Sequence, residues 1–236
     1  MNGYIDMHAH VLPRADHGSD SVEMSLLQLA AAEEAGVSVI AATPHYYPDR
    51  QSGNTFFERR DNAANMLKED YKGPITVLPG AELYLCEGIQ NHPRLHDLCI
   101  SGTSVLLVEM PNPPWTSRYD ITLDELQNKG YTVLLAHIER YPEKDMDRLL
   151  NRGYLGQCNA DSFKNILKRR RLLKLIDDGR IMAVGSDIHG IDKKAYEVFS
   201  AEMSLLGNRA ELLQLRSARL LNSAVRDRDT NDPGYV

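Results

Sequence analysis

Cysteine is scarce: Cys86, Cys99 and Cys158 are the only three in 236 residues, and no two show C-x-x-C spacing. An odd number of scattered thiols excludes a disulfide framework and a zinc ribbon, and fits small buried hydrophobes in a reducing compartment. Positive charge is also in deficit, with 27 Lys and Arg against 33 Asp and Glu for a net charge of −6. That balance lacks the basic footprint of a nucleic-acid or anionic-membrane binder. No apolar run approaches the roughly 18 residues of a membrane span. No charged segment followed by a long apolar stretch marks a secretory signal. A cytoplasmic protein with no membrane insertion is expected. The glycine-rich first turn that opens a dinucleotide-binding sheet is missing as well.

What is present is a repeating pattern. Apolar, β-branched segments begin at Tyr4, Val37, Ile75, Ser104, Tyr131, Gly153 and Ile181. Near-continuous hydrophobic runs of this kind suit parallel strands covered on both faces. Helical patterns lie between them, one with Ser19 or Ser21 as N-cap, and they stop at Gly36, Gly73, Gly130 and Gly179. The segment 86–100 reads as a short helix plus a loop. Seven strands alternating with helices predict an α/β fold, a distorted TIM-like (β/α)7 barrel rather than an open sheet. One domain is expected over residues 1–222, and "SAVRDRDTNDPGYV", 223–236, reads as a frayed tail.

The ends of those strands carry the chemistry. The first closes on His8 and His10, the second on His45, the third on Glu82, the fourth on Glu109, the fifth on His137, and the last on Asp187 and His189. In a parallel barrel the C-terminal strand ends converge on one face. Residues i and i+2 of a strand share a side, so His8 and His10 can grip one cation, and Asp187 and His189 repeat the spacing. A single such residue is ordinary core. Eight at strand ends predict a metal site, because buried carboxylates and imidazoles without a cation are costly. Nitrogen and oxygen donors favour manganese, iron or zinc. Two divalent cations outweigh the three carboxylates, which points to an anionic substrate, and Arg140 could clamp a phosphate.

H-x-H, T-P-H, G-x-E, V-E-M-P, A-H-x-E-R-Y and S-D-x-H, in this order, resemble the polymerase-and-histidinol-phosphatase superfamily. Within it, "IDMHAHVLP", "AATPHY", "LPGAELYL", "LLVEMP", "AHIERYP" and "GSDIHG" are most similar to the bacterial protein-tyrosine phosphatases of capsule and exopolysaccharide operons. The resemblance implies a distorted barrel with two or three divalent ions, manganese first. The first ion would be held by His8, His10, Glu82 and Asp187, the second by Glu82, Glu109 and His137, the third by His45 and His189. Arg140, His45 and His189 would serve catalysis. Two departures stand out. His17, in "ADHG", occupies the position of an expected aspartate ligand to the third ion. Lys193 and Lys194 stand where the family often has an arginine, so Lys194 is the expected second phosphate contact.

The implied reaction is phosphotyrosine hydrolysis, with a cation-activated water attacking phosphorus. The implied partner is a phosphotyrosine protein, the tail of a bacterial tyrosine kinase. No cysteine is followed by arginine six residues later, which excludes C-x5-R phosphocysteine chemistry. The alternatives are a histidinol-phosphate phosphatase, an amidohydrolase (whose bridging lysine is not evident here), and a metal-binding interaction module without catalysis. The basic run Lys168–Arg171 reads either as a solvated helix face or as a guide for an acidic, tyrosine-rich peptide.

Overall fold

The computed structural model describes residues 3–190 and 193–222; the expected tail, 223–236, lies outside the described residues, as does the side chain of Lys193. The strands are β1 (Tyr4–Ala9), β2 (Val37–Ala42), β3 (His45–Tyr46), β4 (Thr76–Pro79), β5 (Glu82–Tyr84), β6 (Val105–Glu109), β7 (Thr132–Leu135), β8 (Leu155–Asn159) and β9 (Ile181–Gly185). The helices are α1 (Val22–Glu34), α2 (Gly53–Asp70), α3 (Ser117–Asn128), α4 (Glu143–Asn151), α5 (Ile166–Asp177), α6 (Lys193–Leu206) and α7 (Asn208–Asn222).

All strand pairings are parallel, in two sheets ordered β1-β2-β4 and β3-β5-β6-β7-β8-β9. Nine short strands correspond to the seven expected segments because two of these are interrupted. Thr43-Pro44 separates β2 from β3, and Gly80-Ala81 separates β4 from β5. The break follows from chemistry: Pro44 has no N–H for the ladder, and the chain bends there. Backbone bonds from Gly80 N to Ala42 O (2.8 Å) and Glu82 N to Pro44 O (3.0 Å) carry the pairing across the bend.

The first and last strands do meet. The ladder does not run continuously between them, but Asp187 N donates to His8 O (2.8 Å) and His10 N to Ile188 O (3.2 Å) just beyond β9. Gly185 permits this approach, since a Cβ there would lie 2.5 Å from the His8 Cβ. The result is two parallel sheets with β1 and β9 side by side at this seam; the strand ladder stays open there, short of the closed circuit of a TIM-like barrel.

Between the strands, Ile5, Met7, Val105, Leu107, Leu134, Ala136 and Ala183 form a buried apolar plug, together with Leu220 of α7. Alternate strand residues such as Leu106, Val108 and Leu135 face outward and pack in the helix-side core. The plug is the floor beneath the strand-end residues.

Ser21 is the cap of α1, accepting from Met24 N at 3.1 Å. Gly36, Gly130 and Gly179 end helices with left-handed φ. Gly73 does not, because α2 already stops at Asp70 with Tyr71 extended. Segment 86–100 holds two 3-10 turns, Ile89–Asn91 and Leu95–Leu98. Three helices were not foreseen from the sequence. α4 has only nine residues, and its buried residues are Met146, Leu149 and Leu150. α6 and α7 follow the last strand, and Gln214 Oε1 accepts from Ile5 N at 2.6 Å to tie α7 beneath the barrel. No helix among the described residues is long and apolar enough to cross a membrane.

Candidate metal centre

Glu82 opens β5 and is almost fully buried. Four imidazoles surround its carboxylate: His45 Nδ1 (2.8 Å), His8 Nε2 (3.2 Å) and His10 Nε2 (3.4 Å) at Oε2, and His137 Nε2 (2.8 Å) at Oε1. Asp187 approaches from the far seam, its Oδ1 lying 3.6 Å from His8 Nε2 and 3.4 Å from His10 Nε2. Donor atoms within 4.8 Å of one another form three overlapping triads: His8, His10 and Glu82; His45, Glu82 and Glu109; His10, His45 and His189.

The sharing of strand ends explains the convergence. His45 and Glu82 are direct partners in the β3–β5 register, and Glu109 ends the next strand. Asp187 and His189 are not on a strand, so their alternation has another origin. Asp187 adopts a left-handed φ of 52°, and His137 does the same at 32°. Two non-glycine residues held in that costly conformation within one cluster mark a functional constraint.

The ring orientations fit cations. His8 Nδ1–H donates to Gln157 Oε1 (3.3 Å), His10 Nδ1–H to Asp16 Oδ2 (2.6 Å), and His189 Nδ1–H to the Asp187 carbonyl (3.0 Å). In its neutral form each would then present an Nε2 lone pair inward, the arrangement that outer hydrogen bonds impose on metal-binding histidines. His8 Nε2 and His10 Nε2 lie 3.1 Å apart, close enough to share one proton or one cation. Glu82 Oε2, His45 Nδ1, Glu109 Oε2, His137 Nδ1 and His189 Nε2 are buried without a hydrogen bond. His45 Nδ1 is close to Glu82 yet misaligned for donation, as expected of two atoms aimed at a common third point. Unsatisfied polar atoms buried this densely are costly unless a cation sits among them.

Charge follows the same geometry. Burial works to raise the Glu82 carboxyl, but the facing His8, His10, His137 and His45 hold it well below the usual range. Asp187 is likewise held low against burial by His8, His10 and Arg140. Glu109 goes the other way: burial, then the Glu82 charge, lifts it to about 7. Burial and the neighbouring His10 lower His189 to about 4, so it is a neutral donor at physiological pH.

The sign of the Glu109 shift gives a prediction for metal-stripped protein. Its folded-state value lies above the ordinary 4.5, so folding favours the protonated form. That stability is complete below the ordinary value and is lost as pH rises to about 7. A plot of Tm against pH is expected to flatten across this window in Glu109→Gln relative to the parent. An unchanged slope in the variant would refute the assignment.

Residues that the sequence reading left without a role complete the shell. Asp16 orients His10 and also accepts from His45 N (2.9 Å) and Gly18 N (2.8 Å). Gly18 is needed there, since a Cβ would fall 2.3 Å from the His10 Cβ. Gln157 and Asn159 come from β8, the one expected strand without a ligand. Gln157 Oε1 also accepts from His137 N (2.7 Å), and Asn159 Nδ2 donates to Asp187 Oδ2 (2.9 Å). Their signal was two amides at i and i+2 in a buried strand.

His17 lies outside the three triads. Its exposed ring stacks on His45 (centroids 4.8 Å) and His189 (4.7 Å) at the mouth of the cluster. Arg140 bonds to Asp187 Oδ2, with 52% of its side chain exposed, at the rim. Lys194 is exposed in the first turn of α6. Half of the basic run is occupied: Arg169 pairs with Glu202 (3.2 Å) and Arg171 with Asp147 (2.6 Å). Cys158 is fully buried, and burial pushes its thiol well up, which suits a packing role.

Residues 4–210 match the family described as "Capsular polysaccharide synthesis, CpsB/CapC". The chain belongs to that family. The tyrosine-protein phosphatase YwqE of Bacillus subtilis (strain 168) is 26% identical over 215 residues, spanning 84% of this chain and 82% of YwqE. CapC of Staphylococcus aureus is 30% identical over 211 residues, spanning 81% of this chain and 79% of CapC. A crystal structure from work on YwqE and on CpsB from Streptococcus pneumoniae, described as metal-dependent tyrosine phosphatases, matches with a TM-score of 0.75 and 27% identity. That match covers 92% of this chain and 94% of the other. A β-aspartyl dipeptidase from Fervidobacterium islandicum, at 10% identity and a TM-score of 0.51 over 93% of this chain and 75% of its own, shares the fold alone.

Proposed function

We propose that this chain is a metal-dependent protein-tyrosine phosphatase acting on a phosphotyrosine protein, the tail of a bacterial tyrosine kinase, within capsule or exopolysaccharide synthesis. The observation that carries this reading is the group of buried, unbonded donor atoms around Glu82 with a guanidinium at its rim. It lies in a chain that resembles YwqE along most of its length.

His8, His10, Glu82 and Asp187 would hold one cation, Glu82, Glu109 and His137 a second, and His45 and His189 a third, with manganese first and iron or zinc as alternatives. Bound divalent cations supply positive charge for the phosphoryl oxygens and lower the pKa of a water at the site. The chain's own residues do the rest. Arg140 presents a planar fork of donors to the phosphoryl group. Asp187 holds Arg140 in place on one carboxylate oxygen while the other faces His8 and His10. Asp16 and Gln157 keep the His10 and His8 rings turned inward. Tyrosine leaves as a phenolate of pKa about 10, so less proton donation is needed than for an alkyl alcohol. Exposure of His17 and Arg140 at the mouth suits a tyrosine presented by a protein.

The deciding assay is phosphate release from a phosphotyrosine peptide by protein stripped of metal and reconstituted with manganese, with histidinol phosphate run in parallel. Metal-dependent release from the peptide is expected. Preference for histidinol phosphate would overturn the substrate, and metal binding without turnover on either would favour an interaction module.

His17 makes a separate prediction. An imidazole beside the nitrogen-rich His10, His45 and His189 triad favours zinc relative to manganese, which prefers oxygen donors. His17→Asp is expected to raise the ratio of manganese-supported to zinc-supported turnover. An unchanged ratio would place His17 outside the metal chemistry.

A further inference from the structure

The strands that deliver the cluster repeat a second pattern one layer further out. His45 is followed at i+2 by Tyr47, and Glu82 at i+2 by Tyr84. Residues two apart in extended backbone share a side. Because His45 is opposite Glu82 in the register, the two tyrosines stand next to each other beyond the ligand layer. Their ring centroids are 5.4 Å apart at 50°. Tyr47 also stacks on His45, at 5.3 Å and 24°. In the neighbouring register Tyr84 is opposite Glu109. The intervening Tyr46 and Leu83 are buried in the helix-side core, whereas Tyr47 and Tyr84 are half-buried. The exposed Arg50 lies over the Tyr47 ring, 4.8 Å from its centroid.

We propose that Tyr47 and Tyr84 form an aryl subsite, which takes the phenol ring of an aryl phosphomonoester while its phosphoryl group meets the cluster, with Arg50 as a movable cap. The inference rests on the phosphatase reading above and deepens it. Two half-buried rings tilted against each other at the edge of a polar site offer a face and an edge to a third in an offset or edge-to-face contact, the arrangements that aromatic rings prefer. The guanidinium can close over the incoming ring as it now closes over Tyr47. A serine or glycerol phosphate has no π face and gains little from either contact. The subsite therefore selects aryl over alkyl esters, a discrimination that the cations and Arg140 do not provide, since they see only the phosphoryl group.

The test compares the parent with Tyr47→Leu, Tyr47→Phe and Tyr84→Leu, each reconstituted with manganese and checked for metal content. Phenyl phosphate and glycerol 2-phosphate serve as substrates. Phenylphosphonate and methylphosphonate, which are not hydrolysed, are titrated by calorimetry. Tyr47→Leu and Tyr84→Leu are each expected to lower the aryl-to-alkyl ratio of kcat/KM by about three- to tenfold, the size of one aromatic pair contact. The phenyl-to-methyl ratio of phosphonate affinity is expected to fall by the same factor, and Tyr47→Phe to keep the parent ratios. Equal losses on aryl and alkyl ligands, or no loss, would overturn the subsite. Hydrolysis of neither ester by the parent would overturn the phosphatase reading instead. The phosphonate titrations would still decide the subsite, according to whether a phenyl preference exists and disappears with Tyr47.

Discussion

Glu82→Gln is expected to lower phosphotyrosine-peptide turnover by more than about a hundredfold, beyond the 10- to 100-fold cost of losing an outer partner of a metal ligand. The carboxylate is the point on which His8, His10, His45 and His137 converge, within 2.8 to 3.4 Å. An amide of the same shape removes the negative charge that would help hold a cation and turns an N–H donor into the space where the imidazole lone pairs would meet that cation. Bound metal, measured by elemental analysis, should fall along with turnover. Circular dichroism should stay unchanged, because the apolar plug beneath Glu82 does not depend on its charge. Full turnover with a full metal complement in the variant would remove Glu82 from the centre of the site.

Arg140→Ala is expected to cost about a hundredfold in kcat/KM, at the lower end of what loss of one preorganised donor to a developing oxyanion costs. Metal content should be retained. Arg140 stands on the short turn after His137, half in solvent, and its partner Asp187 keeps a second bond from Asn159 when the guanidinium is removed. Arg140→Lys should recover only part of the loss, since an ammonium replaces the charge and not the fork. A parallel loss of metal would mean that Arg140 acts by positioning Asp187 rather than by binding phosphate.

The two predictions differ in how far they could be read from the sequence. The strand ends were legible because a parallel strand covered on both faces announces itself as an apolar run, and a histidine or carboxylate closing such a run is conspicuous. His8, His10, His45, Glu82, Glu109, His137, Asp187 and His189 were all visible in this way. Arg140 was visible through its place in "AHIERYP". The supporting residues were not. Asp16 sits in a turn, and Gln157 and Asn159 are neutral amides whose roles appear only when β8 comes to lie beside β7 and β9. Nor was the break in the second and third segments legible, although Pro44 and Gly80 mark it in retrospect.

Local chemistry along the chain determined the order of the elements, the seven apolar segments, most helix stops and the identity of the donor atoms at the strand ends. These depend on side-chain polarity, proline and glycine geometry, and periodicity, all of which act over a few residues. Tertiary structure alone decided three further matters: which donors face one another, which ring nitrogens are turned toward the cluster, and that Tyr47 and Tyr84 form one layer above the cluster. Each depends on register between strands far apart in sequence, and on the seam where Asp187 N meets His8 O. Register is a property of the packed strands, because a shift of one residue would turn every strand-end donor away from its partners while leaving each strand's own preferences unchanged.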